Sequence, residues 1–368
     1  MQSIHVNREV LLKPLQCVTG IVERKQTMPI LSNVLIESHA GFISLLTTDN
    51  EIQIDAKAFI ENLAPFPPFT VGAKKLQDIL KSLPEGAPVR IEFSDGKVVL
   101  RSDHIRFILQ TLPHSDFPVI QESGDHRGTV SLPQCDLKKL LALVQYAMAQ
   151  QDIRYYLNGL LMIIEDGFVK VVATDGHRLA YACCPLDSEY ERQEIILPRK
   201  TIHELYRLLG DTKDPVRISL MQNQAKFTLS DLTLISKVID AKFPDYKRVI
   251  PSAASRTIEV ERTILLQALQ RTAILASDKV RSVRLVIENN NFSILCNNSE
   301  HEEAQEEFPV SYSGDKLDVS FNIAYLLDVL VSLDAKSTLF SFSDPNNSLV
   351  ISIPGGDDFK YVVMPMRI

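Results

Sequence analysis

CDLKKLLALVQYAM, residues 135–148, carries apolar side chains at Leu137, Leu140, Leu141, Val144 and Met148, a spacing that sets all five on one face of a helix. Two other stretches repeat it. REVLLKPLQCVTGIV (8–22) places Leu11, Leu15, Val18 and Val22 in the same periodicity, and VERTILLQALQRTAIL (260–275) places Leu265, Leu269, Thr272 and Leu275. Pro14 lies inside the first run, where it is expected to kink the helix or displace its start, because proline has no amide proton and its ring crowds the preceding turn. The three runs begin about 125 residues apart, the mark of an internal repeat.

Outward from each run the same order recurs. Short strand-like stretches follow in pairs: NVLIE and FISLLTTD, GLLMIIE and FVKVVATD, RLVIE and FSILCNN. Their connections ESHAGF, EDGF and ENNNF read as hairpin turns at matching places. A second helical run then appears, AKKLQDILKSL from Ala73, PRKTIHELYRLL from Pro198 and FNIAYLLDVLVSL from Phe321, and each precedes alternating strands. The endings FILQTLPHSDFPVI, TLISKVIDAKFPDYKRVI and YVVMPMRI correspond as well. The chain therefore reads as three modules of helix, strands, helix, strands, with boundaries in the loop-like stretches His126–Gly128 and Pro251–Ser255. The competing reading is an ordinary α+β chain whose elements alternate by accident.

Modules repeated head to tail with a fixed rotation either close into a ring or extend into a helix. The polar faces of the helices are rich in cations: Lys13, Arg24 and Lys25; Lys74, Lys75 and Lys81; Lys138 and Lys139; Arg199, Lys200 and Arg207; Arg262 and Arg271. Carboxylates concentrate elsewhere, most visibly in SEHEEAQEEF (299–308). A ring lined by helices would have a basic lumen and an acidic exterior, which reconciles a net charge of −7 with a phosphate-bearing ligand. Any one of these cations is more simply read as part of a solvated helix face; their recurrence in five of the six helical runs is what points to a lumen.

Composition narrows the class. The 368 residues exceed what one core needs, and 45% hydrophobic with 23% charged residues is usual for a soluble globular chain. No apolar run approaches the ~18 residues of a membrane span, and MQSIHVNREVLLKPLQ lacks the pattern of a signal peptide, so a cytoplasmic protein is expected. The five cysteines are scattered without CxxC spacing, which indicates neither a disulfide framework nor a zinc site.

QDIRYYLNG (151–159), ATDGHRLA (173–180), FPDYKRVIP (243–251) and the terminal YVVMPMRI resemble the β-subunit family of bacterial DNA polymerase III, the replicative sliding clamps, and the resemblance runs the length of the chain. It implies an α+β fold of three repeated sliding-clamp domains, 1–127, 128–253 and 254–368, each with two helices packed on antiparallel sheets. Two copies would dimerise head to tail into a closed six-domain ring around double-stranded DNA, without sequence specificity. Replicative and translesion polymerases, the clamp loader, mismatch-repair proteins and ligase would dock through short peptides. The resemblance puts that docking groove at Leu157, Thr174, Gly176, His177, Arg178, Leu179, Pro244, Arg248, Val249, Asn322, Tyr325, Ser348, Val362, Met364, Pro365, Met366 and Arg367. Leu, Val, Pro and Met suit apolar peptide side chains, and flexible thioethers suit a binder of many partners. Asn346 stands where the family has an apolar residue, which bears on peptide preference at that edge. DNA contacts are implied for Arg24, Gln151, Tyr155 and Tyr156, with Lys25, Lys74, Arg199 and Lys200 from the basic helix faces. At the subunit interface Phe107 would pack on Ile274 and Leu275, with Lys75, Lys97 and Arg106 facing Glu300, Glu302 and Glu306. His104 and Gln305 stand where the family often has charges; rim pairs contribute about 0–1 kcal/mol each, so their loss loosens closure without abolishing it.

No catalytic motif accompanies these residues. His177 beside Asp175 resembles half of a hydrolytic pair, but GxSxG, P-loop and HExxH patterns are missing, and HELYR at His203 lacks the second histidine of a zinc site. No cofactor, metal or membrane is expected.

Overall fold

The computed structural model describes residues 3–23, 27–61, 63–94, 96–122, 128–251, 256–277, 280–342 and 348–366. The first repeat runs β1 (Ser3–Asn7), α1 (Arg8–Val18), β2 (Asn33–His39), β3 (Phe42–Thr48), β4 (Ile52–Phe59), β5 (Phe69–Gly72), α2 (Ala73–Ser82), β6 (Pro88–Ser94), β7 (Lys97–Ser102) and β8 (Ile105–Gln110). The second runs β9 (Thr129–Pro133), α3 (Gln134–Val144), β10 (Gly159–Glu165), β11 (Phe168–Thr174), β12 (Arg178–Pro185), β13 (Gln193–Pro198), α4 (Arg199–Leu208), β14 (Pro215–Leu220), β15 (Gln224–Thr228) and β16 (Leu232–Lys237). The third runs β17 (Arg256–Glu261), α5 (Arg262–Thr272), β18 (Ser282–Glu288), β19 (Asn291–Asn297), β20 (Glu303–Pro309), β21 (Leu317–Asn322), α6 (Ile323–Ser332), β22 (Ser337–Phe342), β23 (Leu349–Ser352) and β24 (Phe359–Val363).

Each half-repeat is thus a strand, a helix and three strands, and the strand before each helix is one that the apolar periodicity does not announce. That strand crosses over: β1, ahead of α1, pairs with β6 after α2, whereas β5, ahead of α2, pairs back with β2. The second and third repeats weave the same way. Every pairing is antiparallel, so each half closes a four-stranded sheet.

Contacts divide the chain into two compact units, residues 1–135 with 203–238, and residues 136–202 with 239–368. In the first unit β4 pairs with β16 and fuses two four-stranded sheets into one of eight, β5-β2-β3-β4-β16-β15-β14-β9. In the second, β12 pairs with β24 to give β13-β10-β11-β12-β24-β23-β22-β17. Each unit also keeps one four-stranded sheet, β1-β6-β7-β8 in the first and β20-β19-β18-β21 in the second. Their edge strands β8 and β20 have no further strand beside them among the described residues. β8 leaves Ile105 and Ile108 40% and 51% exposed, an apolar edge that a chain on its own would have reason to blunt.

The predicted helical stripes are buried: Leu11, Leu15 and Val18 in α1, Leu137, Leu140, Leu141 and Val144 in α3, Leu265 and Leu269 in α5. Thr272, the polar member, satisfies its hydroxyl by donating to the carbonyls of Ala268 and Leu269 at 3.0 and 3.1 Å. Pro14 neither breaks nor displaces α1, which continues to Val18; the buried Leu11, Leu12, Leu15 and Val18 hold the turns on either side of it. Arg262, counted among the polar-face cations, folds back instead. Its guanidinium donates to the carbonyls of Leu330 and Ala335, both at 2.9 Å, at the end of α6, where a cation meets the negative end of the helix dipole. Arg8 does the same to Leu80 at the end of α2 (2.6 Å).

Candidate functional site

The residues Thr174–Arg178 turn the chain from β11 into β12. The Thr174 hydroxyl donates to the Arg178 carbonyl (2.6 Å) and accepts from the Gly176 amide (3.1 Å), while one Asp175 oxygen accepts from the amides of His177 and Arg178 at 2.9 and 3.0 Å. Gly176 sits at φ 91°, a left-handed conformation open to glycine. In the first repeat Thr48–Ile52 builds the same turn: Thr48 donates to Ile52, Asp49 accepts from Glu51 and Ile52, and Asn50 takes the left-handed place at φ 74°. In the third, the Asn298 carboxamide accepts from Glu300 and Glu302. ATDGHRLA, singular as a sequence, therefore shares its backbone turn with the first repeat, while the third repeat has a related turn one residue longer with His301 in the left-handed place.

What differs is the side chains around it. Beside the first turn, the buried Gln53 accepts from the Ile120 amide (2.7 Å), and Lys237 donates through its backbone to Glu51 and through its ammonium to the Glu51 carboxylate. The second unit has Leu179 in place of Gln53 and Met364 in place of Lys237, and the Met364 amide still reaches the His177 carbonyl (3.0 Å). Polar ties are replaced by apolar walls, and a cavity of about 180 Å³ opens there. Its deep residues Leu157, Leu179 and Val362 are buried, whereas Val249 and Met364 on the rim are 38% and 45% exposed. Thr174, Gly176, His177, Arg178 and Pro244 complete the predicted lining, and Arg154 and Tyr156 join it unforeseen. Arg248, Asn322, Tyr325, Ser348, Pro365 and Met366 do not line this cavity, and Arg367 and Asn346 lie outside the described residues. Asn322 caps α6 by accepting from the Ala324 amide (3.0 Å), and the Met366 amide donates to Ser320.

Arg178 anchors the wall. Its guanidinium, whose side chain is 9% exposed, bonds Asp175 (3.1 Å), Asp328 on α6 (2.6 Å) and the Tyr146 carbonyl (2.6 Å), and it lies 4.3 Å over the Tyr325 ring. Burial alone would lower its pKa, but Tyr361, Asp328 and Asp175 outweigh that and push it up, so the charge is permanent. Tyr325 and His177 share with Arg178, Arg199 and Tyr146 a second, polar cavity of about 330 Å³. Both Asp175 oxygens are occupied by the turn amides and by Arg178, so Asp175 is not free to act with His177 as a hydrolytic pair.

The residues predicted to meet DNA stand differently from one another. Gln151 is exposed at φ 56°, and Tyr155 is 57% exposed, beside a loop stiffened by Asp152. Hydrogen bonds from the Arg154 side chain and amide hold the Asp152 carboxyl down at about 2. Tyr156 turns toward the groove. Arg199 is partly withdrawn, donating to the Met148 carbonyl (2.9 Å), and burial followed by the nearby Arg178 charge lowers its pKa. Lys74 and Lys200 are half-exposed on α2 and α4. Arg24 and Lys25 lie outside the described residues.

Three family models match in chain order: the N-terminal domain of the DNA polymerase III beta subunit over residues 2–121, its central domain over 131–245 and its C-terminal domain over 247–367. The chain belongs to the DNA polymerase III beta subunit family. It is similar to a beta sliding clamp of Pseudomonas putida, 43% identical over 365 residues and 99% of either chain, and to that of Escherichia coli (strain K12), 39% identical with 99% of either chain covered. The solved structure of the DNA polymerase III subunit beta from Pseudomonas aeruginosa superposes with a TM-score of 0.95 at 42% identity, covering 100% of both chains.

In this member of the beta subunit family, the residues implied for the subunit interface gather on or beside the two open edges. Arg106 and Phe107 lie on β8, Lys97 begins the adjacent β7, and Lys75 is exposed on α2. Glu306 lies on β20, with Glu300 and Glu302 in the turn before it. Ile274, in the short turn after α5, is 79% exposed, and Leu275 is half-buried. Glu306 already has a partner in its own chain, since Arg271 donates to it (Nε at 2.9 Å) and holds its carboxyl below the usual range. Among the described residues no group of His, Cys, Asp and Glu could hold a metal, and no helix is long and apolar enough to cross a membrane.

Proposed function

We propose that two copies of this chain close head to tail into a ring around duplex DNA and tether polymerases through the groove beside the Thr174–Arg178 turn. Membership of the family makes the chain a DNA sliding clamp, a processivity factor and not an enzyme. Its three domains, 1–127, 128–253 and 254–368, are the three repeats.

The observation that carries the ring is how sheets join. The last strand of one repeat's first half pairs with the last strand of the next repeat's second half: β4 with β16, then β12 with β24. By that rule β20 of the third repeat seeks the counterpart of β16 and β24, which is β8 of a first repeat. A second copy supplies it, and two such joints close the ring.

The rule also fixes register. Ile52 faces Ser236 and Arg178 faces Val363. Glu302 corresponds to Ile52 and Arg178, because Glu303 after it faces Asn297 as Gln53 faces Thr48 and Leu179 faces Thr174, and Leu109 corresponds to Ser236 and Val363. Glu302 of one copy then faces Leu109 of the other, and Phe107 faces Ala304. Phe107 takes the place of Tyr361, and Ile274 that of Tyr146, whose rings are 5.8 Å apart. Lys75 takes the place of Tyr325, over which Arg178 lies, so Lys75 meets Glu302. Rim pairs from Lys97, Arg106 and Glu300 add little individually.

DNA would be held by enclosure, with Arg24, Lys25, Lys74, Gln151, Tyr155, Tyr156, Arg199 and Lys200 touching phosphate and sugar, contacts that carry no base information. The groove takes short apolar peptides of polymerases, the clamp loader, mismatch-repair proteins and ligase, and the protein works in the cytoplasm. The joint is tested by the double variant Phe107→Cys/Ala304→Cys: facing Cα atoms in an antiparallel pair lie about 4.5–5.5 Å apart, within disulfide reach. Oxidation should yield a reducible species of twice the 41.4 kDa chain, and neither single variant should. Failure of the pair to link while the protein is dimeric would contradict this register.

A further inference from the structure

Where the first helix of one repeat ends against the second helix of the next, both sheet joints carry the same device. In the first unit, Arg207 on α4 donates to the carbonyls of Gln16 and Cys17 in the last turn of α1, at 3.2 and 2.6 Å, and Glu204 braces its guanidinium at 2.8 Å. In the second unit, Arg178 donates to the Tyr146 carbonyl just past α3, braced by Asp328. The acids are equivalent: α2, α4 and α6 each span ten residues, and Glu204 and Asp328 are the sixth of theirs. The cation comes from one of two places, the ninth residue of the second helix or the turn. In the first joint these are Arg207 and Ile52, in the second Val331 and Arg178. Each joint thus has one guanidinium, which satisfies carbonyls left over at a helix end and complements its dipole.

In the third joint the sixth residue of the second helix is Asp78, the ninth is Lys81, and the turn position is Glu302. Asp78 and Lys81 are both exposed in the single chain. We infer that Lys81 of one copy caps the C-terminal end of α5 in the other, donating to carbonyls at Gln270–Ile274, with Asp78 bracing the ammonium as Glu204 braces Arg207. This rests on the dimer proposed above and names a positioning contact within it. It moves Lys81 from the basic lumen, where helix periodicity sets it, to the subunit boundary. A lysine offers a point charge in place of Arg207's planar fork, so this is the weakest of the three caps and the one suited to a joint that must open.

The test compares the dimer dissociation constants of Lys81→Ala, Lys81→Arg and Phe107→Ala by sedimentation velocity of the full chain, with thermal unfolding as a check on folding. Two joints close each dimer, so Lys81→Ala should weaken it about a hundred-fold, about ten-fold per joint, and Lys81→Arg should match or tighten it. If Phe107→Ala weakens the dimer and Lys81→Ala does not, the cap is overturned and the dimer reading stands. If neither weakens it, the dimer reading itself fails. A Lys81→Ala protein with unaltered dimerisation but faster loss from circular DNA would return the residue to the lumen and overturn the inference.

Discussion

Replacing Arg178 by alanine removes a side chain that ties the groove's turn both to α6 and to the end of α3. Three bonds go, to Asp175, Asp328 and the Tyr146 carbonyl, together with the stack on Tyr325. Charge-assisted bonds contribute about 1.5–3 kcal/mol each, but the sum overshoots. Asp328 is 43% exposed and rehydrates, and Asp175 keeps the amides of His177 and Arg178. What is left uncompensated is the part-buried Tyr146 carbonyl and part of the Asp175 charge. The net loss is therefore ~3 kcal/mol, the low end of the range for breaking a buried pair by removing one partner. For a unit of about two hundred residues, each kcal/mol moves the melting temperature about 2–4 °C, so unfolding of the second unit should fall by roughly 6–12 °C. Differential scanning calorimetry measures this directly. Arg178→Lys should recover less than half of the loss, because an ammonium cannot span three acceptors in the guanidinium plane. A shift below about 2 °C for the alanine variant, with the groove intact, would refute the assignment of Arg178 as the anchor.

Met364→Glu should weaken binding of a polymerase-derived peptide at least about ten-fold by setting a charge on the apolar rim, with the melting temperature changed little since the side chain is 45% exposed; unchanged affinity in isothermal titration would count against the groove. The Asp152 carboxyl, held at about 2 against about 3.9 in an unfolded chain, gives its loop order that is complete above pH ~4 and lost as pH falls through ~2. Carboxyl NMR titration should show this, and Arg154→Gln should return Asp152 toward its ordinary value.

The helices were legible because each is an amphipathic run whose buried stripe has a single period. The strands ahead of them were not. SIHVN, TVSLP and RTIEVE are short, and each pairs with the strands that follow the other helix of its repeat, a partner no local pattern indicates. The joint of β4 with β16 is further from reach, since residues near 52 and 236 meet only once both halves have folded. At the groove, ten of the expected residues line one cavity, but the reason a cavity forms there is not legible in the sequence. Thr48–Ile52 folds as Thr174–Arg178 does, and the cavity exists because Leu179 and Met364 stand where Gln53 and Lys237 tie the other copy shut. The resemblance implies a DNA contact for Tyr156 and nothing for Arg154, and the bond from Arg154 to the Asp175 carbonyl (3.2 Å) that brings their loop to the groove depends on tertiary structure. Helix periodicity also cannot tell a cation that faces solvent from one that bends over a helix end, which is why it groups Arg207 and Arg262 with the lumen charges.

Enclosure of DNA is the central claim, and topology tests it most directly. The protein is loaded on nicked circular duplex by a clamp loader, freed of the loader, and the DNA is cut once by a restriction enzyme while bound protein is followed by gel filtration. A ring held by enclosure should stay with the circle and run off the linear form, with blocked ends restoring retention. Equal retention on linear DNA with free ends would show that contact rather than enclosure holds the protein, and would contradict the account.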